Sequence, residues 1–449
     1  MKAEEELFTK ADFGSDFRWG TVTAAFQVEG AVNDGGRGKS VWDTFTHKKG
    51  KIKNGHHADV ACNFYHQYEA DLETVAELGF SEFRFSISWP RILPKGSGDV
   101  NPEGIDFYNK LIDKCIALKI TPWVTLYHWD LPQELQNRGG WKNREILTWF
   151  SAYVTLCTQQ FGDRVKNWIV LNEPMAVAAL GYTTGMHAPG IRGLWNFLPV
   201  VHHLVLCQAE GGRIIRQNVP EAYIGTAFSC SFIKPFSQNP KDIRAAKRAD
   251  AVMNRLFIEP VLGLGYPSDA FSYLKNIKKY MHPGDHDKMK FDFDFIGLQN
   301  YFSVTVRHSY LVPILWLNQV PKLGGEPVTY MGWEIDGGGM YKILKQFSHY
   351  EGIKEIIVSE SGAAFEDVCI DGAVHDHKRT AYFKEYLAHV LKAKREGLKI
   401  KGYLVWSLID NFEWAEGYAA RFGLVHVDFE TQKRTIKDSG KWFAGFLRN

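Results

Sequence analysis

Two glutamates in this chain close short apolar runs. Glu173 follows Val170, Leu171 and Asn172 and precedes Pro174; Glu360 follows Ile356, Ile357, Val358 and Ser359 and precedes Ser361 and Gly362. Apolar runs of this length bounded by polar residues read as buried strands, so each carboxyl is expected at a strand end, facing a cavity. A single Glu in that position is as readily a surface or ion-paired residue. Two of them, each beside a polar neighbour, suggest a working pair. One carboxyl would protonate a leaving oxygen and the other would act on the carbon it leaves, which is what cleavage of a glycosidic bond requires.

Such a pair needs a frame that brings distant segments together. Eight β-branched or aromatic runs recur along the chain: Phe17–Thr21, Glu82–Ser86, Pro122–Tyr127, Trp168–Leu171, Tyr223–Phe228, Phe293–Leu298, Glu355–Val358 and Tyr403–Trp406. Helix-period stretches lie between them, among them Tyr68–Leu78, Gly104–Leu118, Arg144–Phe161 and Lys378–Glu396. Alternating strand and helix implies parallel strands joined by crossovers. Eight units predict a single (β/α)8 TIM barrel over residues 1–449 with elaborated βα loops, in the α/β class. A doubly wound open sheet is the alternative, weakened because no GxGxxG turn follows the first strand. A barrel places active groups at the C-terminal strand ends. The residues there are Gln27, Arg84, His128, Asn172 with Glu173, Asn300 with Tyr301, Glu360 and Trp406; the fifth strand ends in Ser229, Cys230 and Ser231 and offers less.

At these residues the chain resembles glycoside hydrolase family 1. Leu171–Pro174 (LNEP) is similar to that family's acid/base motif, and Ile357–Gly362 (IVSESG) to its nucleophile motif. Further resemblances cover almost the whole chain: Phe17–Gly30 (FRWGTVTAAFQVEG), Phe83–Ile92 (FRFSISWPRI), Leu126–Pro132 (LYHWDLP) and Trp406–Ala415 (WSLIDNFEWA). The resemblance implies a retaining β-glucosidase in which Glu360 is the nucleophile and Glu173 the acid/base, about 5–5.5 Å apart. Arg84 and Tyr301 would keep Glu360 ionised, with Asn300 beside them, while burial and a neighbouring charge would keep Glu173 protonated. Substrate contacts would fall on Gln27, His128, Trp129, Asn172, Glu413, Trp414 and Phe422, with Trp406 as a stacking floor and Trp333 on the aglycone side. Gln, Asn, His and Glu supply directional partners for hydroxyls, and Trp an apolar face for a sugar ring. Glu413 argues against 6-phosphorylated sugars, which its charge would repel, and Glu173 against the myrosinase-like branch, where Gln takes its place. The same fold would also serve a β-galactosidase, a β-fucosidase or a transglycosylase, or a catalytically silent sugar-binding protein.

The sequence departs from the family pattern in two places. Ser359 and Ser361 flank Glu360 where the family usually has Thr and Asn, which puts fine positioning in question. Asp336 to Gly339 (DGGG) follows Trp333, Glu334 and Ile335 where relatives usually carry Tyr-Pro, and the glycines predict a more mobile rim.

Bulk composition narrows the remaining classes. A net charge of +2 and no long basic block give nucleic-acid binding little support. Six widely spaced cysteines form no CxxC pair, so zinc ribbons and thioredoxin motifs are absent and buried thiols are expected. His128 has no ligand at i+2 or i+4; His375 and His377 do, but a polar loop before Lys378 and Arg379 favours a solvated or helix-capping role. Two carboxylates need no metal or organic cofactor, so the expected partner is a small-molecule β-glycoside alone, with no membrane. No run of about 18 apolar residues occurs, and the charged opening segment lacks the apolar core of a secretory signal, so a cytoplasmic location is expected.

Overall fold

The computed structural model describes residues 8–312, 314–321 and 328–448; the charged opening segment, residues 1–7, lies outside them. Eight parallel strands form a closed barrel: β1 (Arg18–Val22), β2 (Glu82–Ser86), β3 (Thr121–Tyr127), β4 (Asn167–Asn172), β5 (Tyr223–Ser229), β6 (Phe295–Gln299), β7 (Ile356–Ser361) and β8 (Ile400–Trp406). Each pairs with its neighbours in sequence, and β8 closes on β1 with Val22 opposite Trp406. The strands are buried along almost their whole length. Parallel strands covered on both faces require this, and it explains why they read as continuous apolar runs.

All eight expected strands are present; Glu82–Ser86 has the expected ends, and the other seven are shifted at one end or both. β6 starts two residues later than expected, because Asp294 is held before the strand, accepting from the Ile224 amide at 2.9 Å and from Arg216 at 2.8 Å. β7 runs on through Glu360 to Ser361, so the second glutamate lies inside its strand and not past it. Register shifts against both neighbours fall between Val358 and Glu360 or Ser361. Such an irregularity re-aims a side chain that regular pleating would send elsewhere.

Eight main crossover helices cover the barrel: α1 (Phe64–Glu77), α2 (Pro102–Ala117), α3 (Ile146–Phe161), α4 (Phe197–Asn218), α5 (Pro240–Asp250), α6 (Gly337–Ser348), α7 (His377–Arg395) and α8 (Asp438–Arg448). α2 illustrates why they form: Pro102 opens it, and Phe107, Tyr108, Leu111, Ile112 and Cys115 make one buried stripe at helical spacing. The barrel floor is filled by Trp123, Phe295 and Tyr223, with Arg18 packed over the Trp123 and Tyr223 rings. The loops after β5 and β6 build a three-stranded sheet from Ile233–Pro235, Val304–His308 and Leu317–Gln319. All six cysteines are unpaired and only Cys369 is exposed. Among the described residues, no helix is long and apolar enough to cross a membrane.

The glycine run after Asp336 departs from the expected mobile rim. It is the first turn of α6, and Asp336 caps it by accepting from the Gly339 amide at 2.9 Å while also pairing with Ser303 and Lys234 at 2.6 Å. A Cβ on Gly339 would sit 2.0 Å from the Ser303 hydroxyl. Close packing, and not looseness, accounts for that glycine.

The loop after β8 is fixed by buried charge. Asp410 accepts from Lys437 at 2.6 Å, from Arg421 at 2.7 Å and from the Gly423 amide at 3.0 Å. Lys437 also meets Asp367 at 2.5 Å, and Asp367 meets Arg379 of α7 at 2.7 Å. Asp410, Lys437 and Arg379 are fully buried. Removing one member leaves the others charged and desolvated. Asp410→Ala is therefore expected to cost about 3–5 kcal/mol of stability, read from the urea midpoint; an unchanged midpoint would show that the network does not fix this loop.

Candidate active site

Glu173 follows β4 directly and has φ +44°, a left-handed conformation that is uncommon for a residue with a side chain. Its amide continues the ladder by donating to the Ala227 carbonyl of β5 at 2.9 Å. Pro174 then starts a short helical turn. Backbone pairing and proline together turn the chain sharply at this point, and the carboxyl is left buried. Glu360 is also buried. Its Oε1 accepts from Arg84 Nη1 at 2.7 Å and its Oε2 from the Tyr301 hydroxyl at 2.6 Å. Gly362 lies beside it, where a Cβ would come within 1.9 Å of the Trp406 carbonyl.

Arg84 is the hub of the site. From β2 it donates through Nε to Thr125 of β3 at 2.9 Å, through Nη1 to the Ser359 carbonyl as well as Glu360, and through Nη2 to Asn172 Oδ1 of β4 at 2.5 Å. Asn172 Oδ1 also accepts from Gln299 of β6 at 2.7 Å. The guanidinium is fully buried, which is tolerable only because its donors are met.

This placement splits the two carboxyls. Burial pushes Glu173 up, and the charge of Glu360 pushes it further, to about 8; the Ser229 hydroxyl and Arg84 offset a smaller part. Burial raises Glu360 too, but Arg84 and the Tyr301 hydroxyl oppose that rise directly. The proton shared by the pair therefore rests on Glu173 and the charge on Glu360. Glu413, half-buried, is a third carboxyl in the same field. It is pushed up to about 8 by burial and by Glu360, while hydrogen bonds from Gln27 and Trp406 pull it down.

The polar groups expected to meet a substrate converge on the same cavity walls. Gln27 donates to Asn411 at 3.0 Å and to Glu413 at 3.4 Å, and its Oε1 is buried without a partner. Asn172 Nδ2 faces His128 Nε2 at 3.0 Å. His128 is held neutral, well below its ordinary value, by burial and then by Arg84, and its Nδ1 is a second buried atom without a partner. Both atoms can still accept or donate a further hydrogen bond.

The aromatic residues divide by role. Trp414 lies between Trp42 and Trp129 at ring separations of 4.5 Å and stacks on Phe26. Trp129 donates its indole N–H to the Asn172 carbonyl at 3.0 Å, so it braces Asn172 instead of offering that donor to a substrate. Trp406 sends its donor to Glu413. Trp333 is half-buried and packs on Phe302 at 4.7 Å, near Tyr301 and Phe422. Asn300 is not joined to the carboxylates by a hydrogen bond: its amide donates to the Cys230 carbonyl at 2.8 Å and the Phe302 carbonyl at 3.3 Å, shaping the loop that carries Tyr301.

The sequence reading missed several contributors. Ser229, at the strand end expected to offer less, donates to Glu173. Thr125 and Gln299 lie outside the family-like motifs and Asn411 inside one without being singled out there; all three emerge only through their partners. At the rim, Lys53 reaches the Tyr330 hydroxyl at 2.8 Å and Glu416 at 3.0 Å. The departure at Ser361 is absorbed by Tyr382, whose hydroxyl lies 3.1 Å from its own, while Arg84 and Tyr301 position Glu360. His375 and His377 are exposed, and His375 pairs with Asp438 at 2.7 Å. Among the described residues, two groups of side chains could hold a metal ion: His375 with His377 and Asp438, and His47 with His57 and Asp59.

Comparison with known proteins agrees with this geometry. The family model described as Glycosyl hydrolase family 1 matches residues 9–449. The chain is 43% identical to Beta-glucosidase A of Thermotoga maritima, covering 97% of this chain and 98% of that protein. It is 42% identical to 1,4-beta-D-glucan glucohydrolase of Thermotoga neapolitana, over 97% of this chain and 98% of that one. The solved structure of the Thermotoga maritima beta-glucosidase in complex with deoxynojirimycin superimposes with a TM-score of 0.92 at 43% identity, covering 97% and 98% of the two chains.

Tyr301→Phe removes one donor from Glu360 and nothing else of bulk. A hydrogen bond to a charged group contributes about 1.5–3 kcal/mol, so kcat/KM on aryl β-glucosides should fall about tenfold to a hundredfold. The acidic limb of the pH profile should also move up, because Glu360 then ionises less readily. A limb that stayed in place would remove Tyr301 from the control of Glu360.

Proposed function

Since the chain belongs to glycosyl hydrolase family 1, we propose that its reaction is carried by Glu360 as nucleophile and Glu173 as general acid and base. The enzyme is a retaining β-glucosidase. The observation that carries the assignment of roles is the asymmetry of the pair: a buried guanidinium bonds Glu360 directly, whereas Glu173 is buried and faces the charge of Glu360. The ionised carboxylate attacks the anomeric carbon. The protonated one gives its proton to the leaving oxygen. Once Glu360 is esterified its charge is gone, Glu173 ionises more readily, and it takes a proton from the incoming water that releases the sugar.

Substrate selection follows from the walls. Gln27, His128, Asn172 and Glu413 meet the hydroxyls of a terminal, non-reducing β-D-glucosyl residue, Trp406 and Trp414 line its apolar face, and Trp333 with Phe422 guides the aglycone. Glu413 disfavours a phosphorylated sugar. Short β-1,4-linked glucans and aryl glucosides are the substrate class, consistent with the name of the 1,4-beta-D-glucan glucohydrolase relative. One catalytic barrel accommodates the whole reaction, since the family match spans residues 9–449.

Incubation with a 2-deoxy-2-fluoro aryl β-glucoside tests the nucleophile, because fluorine slows both steps and an activated leaving group lets the first outrun the second. One fluoroglucosyl mass is expected on the peptide containing Glu360, and a label on another residue would sink the assignment. The basic limb of kcat/KM should fall as pH rises through about 8, where Glu173 loses the proton it must donate. Glu173→Gln should abolish that limb on activated aryl substrates, and its persistence would point to another acid. Glu413→Ala should mainly weaken turnover of glucosides; unchanged kinetics would remove Glu413 from the sugar site.

A further inference from the structure

The loop after β1 holds a group of side chains that the reaction does not use. His47 ends the helical turn Val41–Thr46, and His57 and Asp59 lie ten and twelve residues further on. His47 Nε2 and His57 Nδ1 each lie 3.3 Å from the same oxygen, Asp59 Oδ2. The three ligand atoms lie within 4.8 Å of one another, and the two imidazole rings are stacked at 5.1 Å and 23°.

His47 Nδ1 lies 2.8 Å from the Asp43 carbonyl, which leaves its Nε2 facing Asp59. The two 3.3 Å contacts to Asp59 Oδ2 are longer than the about 2.7–2.9 Å of a charge-assisted hydrogen bond. A metal ion shared by the three side chains accounts for that spacing. With metal–ligand bonds of about 2.0–2.1 Å, adjacent ligand atoms of a tetrahedral site lie about 3.3–3.4 Å apart, the spacing seen here. The bond from His47 to Asp43 is the outer contact that commonly fixes the tautomer of a metal-bound histidine.

We propose that His47, His57 and Asp59 bind one divalent transition-metal ion of the zinc class, with water completing the coordination. Two imidazoles and one carboxylate suit Zn2+, Ni2+ or Cu2+, whereas Ca2+ and Mg2+ want oxygen ligands. The exposed Lys48 and Lys49 nearby reinforce that choice, since the site lacks the diffuse negative field that holds hard cations. The ion ties together the two ends of the loop that carries Lys53, whose ammonium reaches Tyr330 and Glu416 at the rim. It therefore braces the mouth of the site without touching the reacting atoms.

The test is titration of untagged enzyme with ZnCl2, followed by calorimetry and by the thermal midpoint. One ion per chain should bind, and the midpoint should rise with free Zn2+ because the metal binds the folded state. MgCl2 should produce neither effect. His47→Ala and His57→Ala should each weaken Zn2+ binding about tenfold or more, with metal-free midpoints and basal turnover unchanged. The double variant His375→Ala/His377→Ala should bind Zn2+ as the parent does. Absence of binding to the parent enzyme, binding that survives loss of His57, or binding lost with His375 and His377 would each overturn the proposal.

Discussion

The structure depends on one buried guanidinium. Arg84 projects from β2 into a space where no water can satisfy it, and a charge in that position is tolerable only if its donors find fixed acceptors. They find Thr125 on β3, Asn172 on β4, and Ser359 and Glu360 on β7. Satisfying one cation therefore locks the relative positions of four strands. It also makes Glu360 the carboxylate that stays charged. The same contacts that stabilise the barrel interior thus create the electrostatic asymmetry between Glu360 and Glu173.

Around that hub the site holds more carboxyls than cations. Glu173, Glu360 and Glu413 lie in one mutual field, the first two buried and Glu413 half-buried. In such a cluster the proton settles on the groups lacking a cation. Glu173 is raised because it is desolvated near Glu360, and not through any feature of its own segment. Glu413 is moderated by Gln27 and Trp406. The aromatic wall of Trp42, Trp129 and Trp414 keeps water out and leaves these interactions strong.

The loops carry the outer part of the candidate site. The segment after β8 holds Glu413 and Trp414, and the Asp410, Lys437 and Arg421 network fixes it from behind. The loop after β6 carries Tyr301, shaped by Asn300. The loop after β1 reaches the rim through Lys53. Polar contacts also hold the glycine-rich segment Gly337 to Gly339 as an ordered helix start capped by Asp336.

By itself the sequence determined the periodicity and the chemistry. Eight apolar runs alternating with helical stretches specified the barrel, because buried parallel strands and amphipathic helices have distinct spacings that survive in one dimension. The two glutamates, Arg84, Tyr301, Gln27 and Glu413 were legible because strand ends carry the reacting groups in this fold and their motifs are long. Only the tertiary structure decided which partner each group has. Ser229, Thr125 and Gln299 entered the site, the Trp129 donor went to a backbone carbonyl, Asn300 shaped a loop, and His47, His57 and Asp59 came together, because hydrogen bonds and charge interactions depend on distances set by chain closure. Residues far apart along the chain acquire those distances only when the barrel forms.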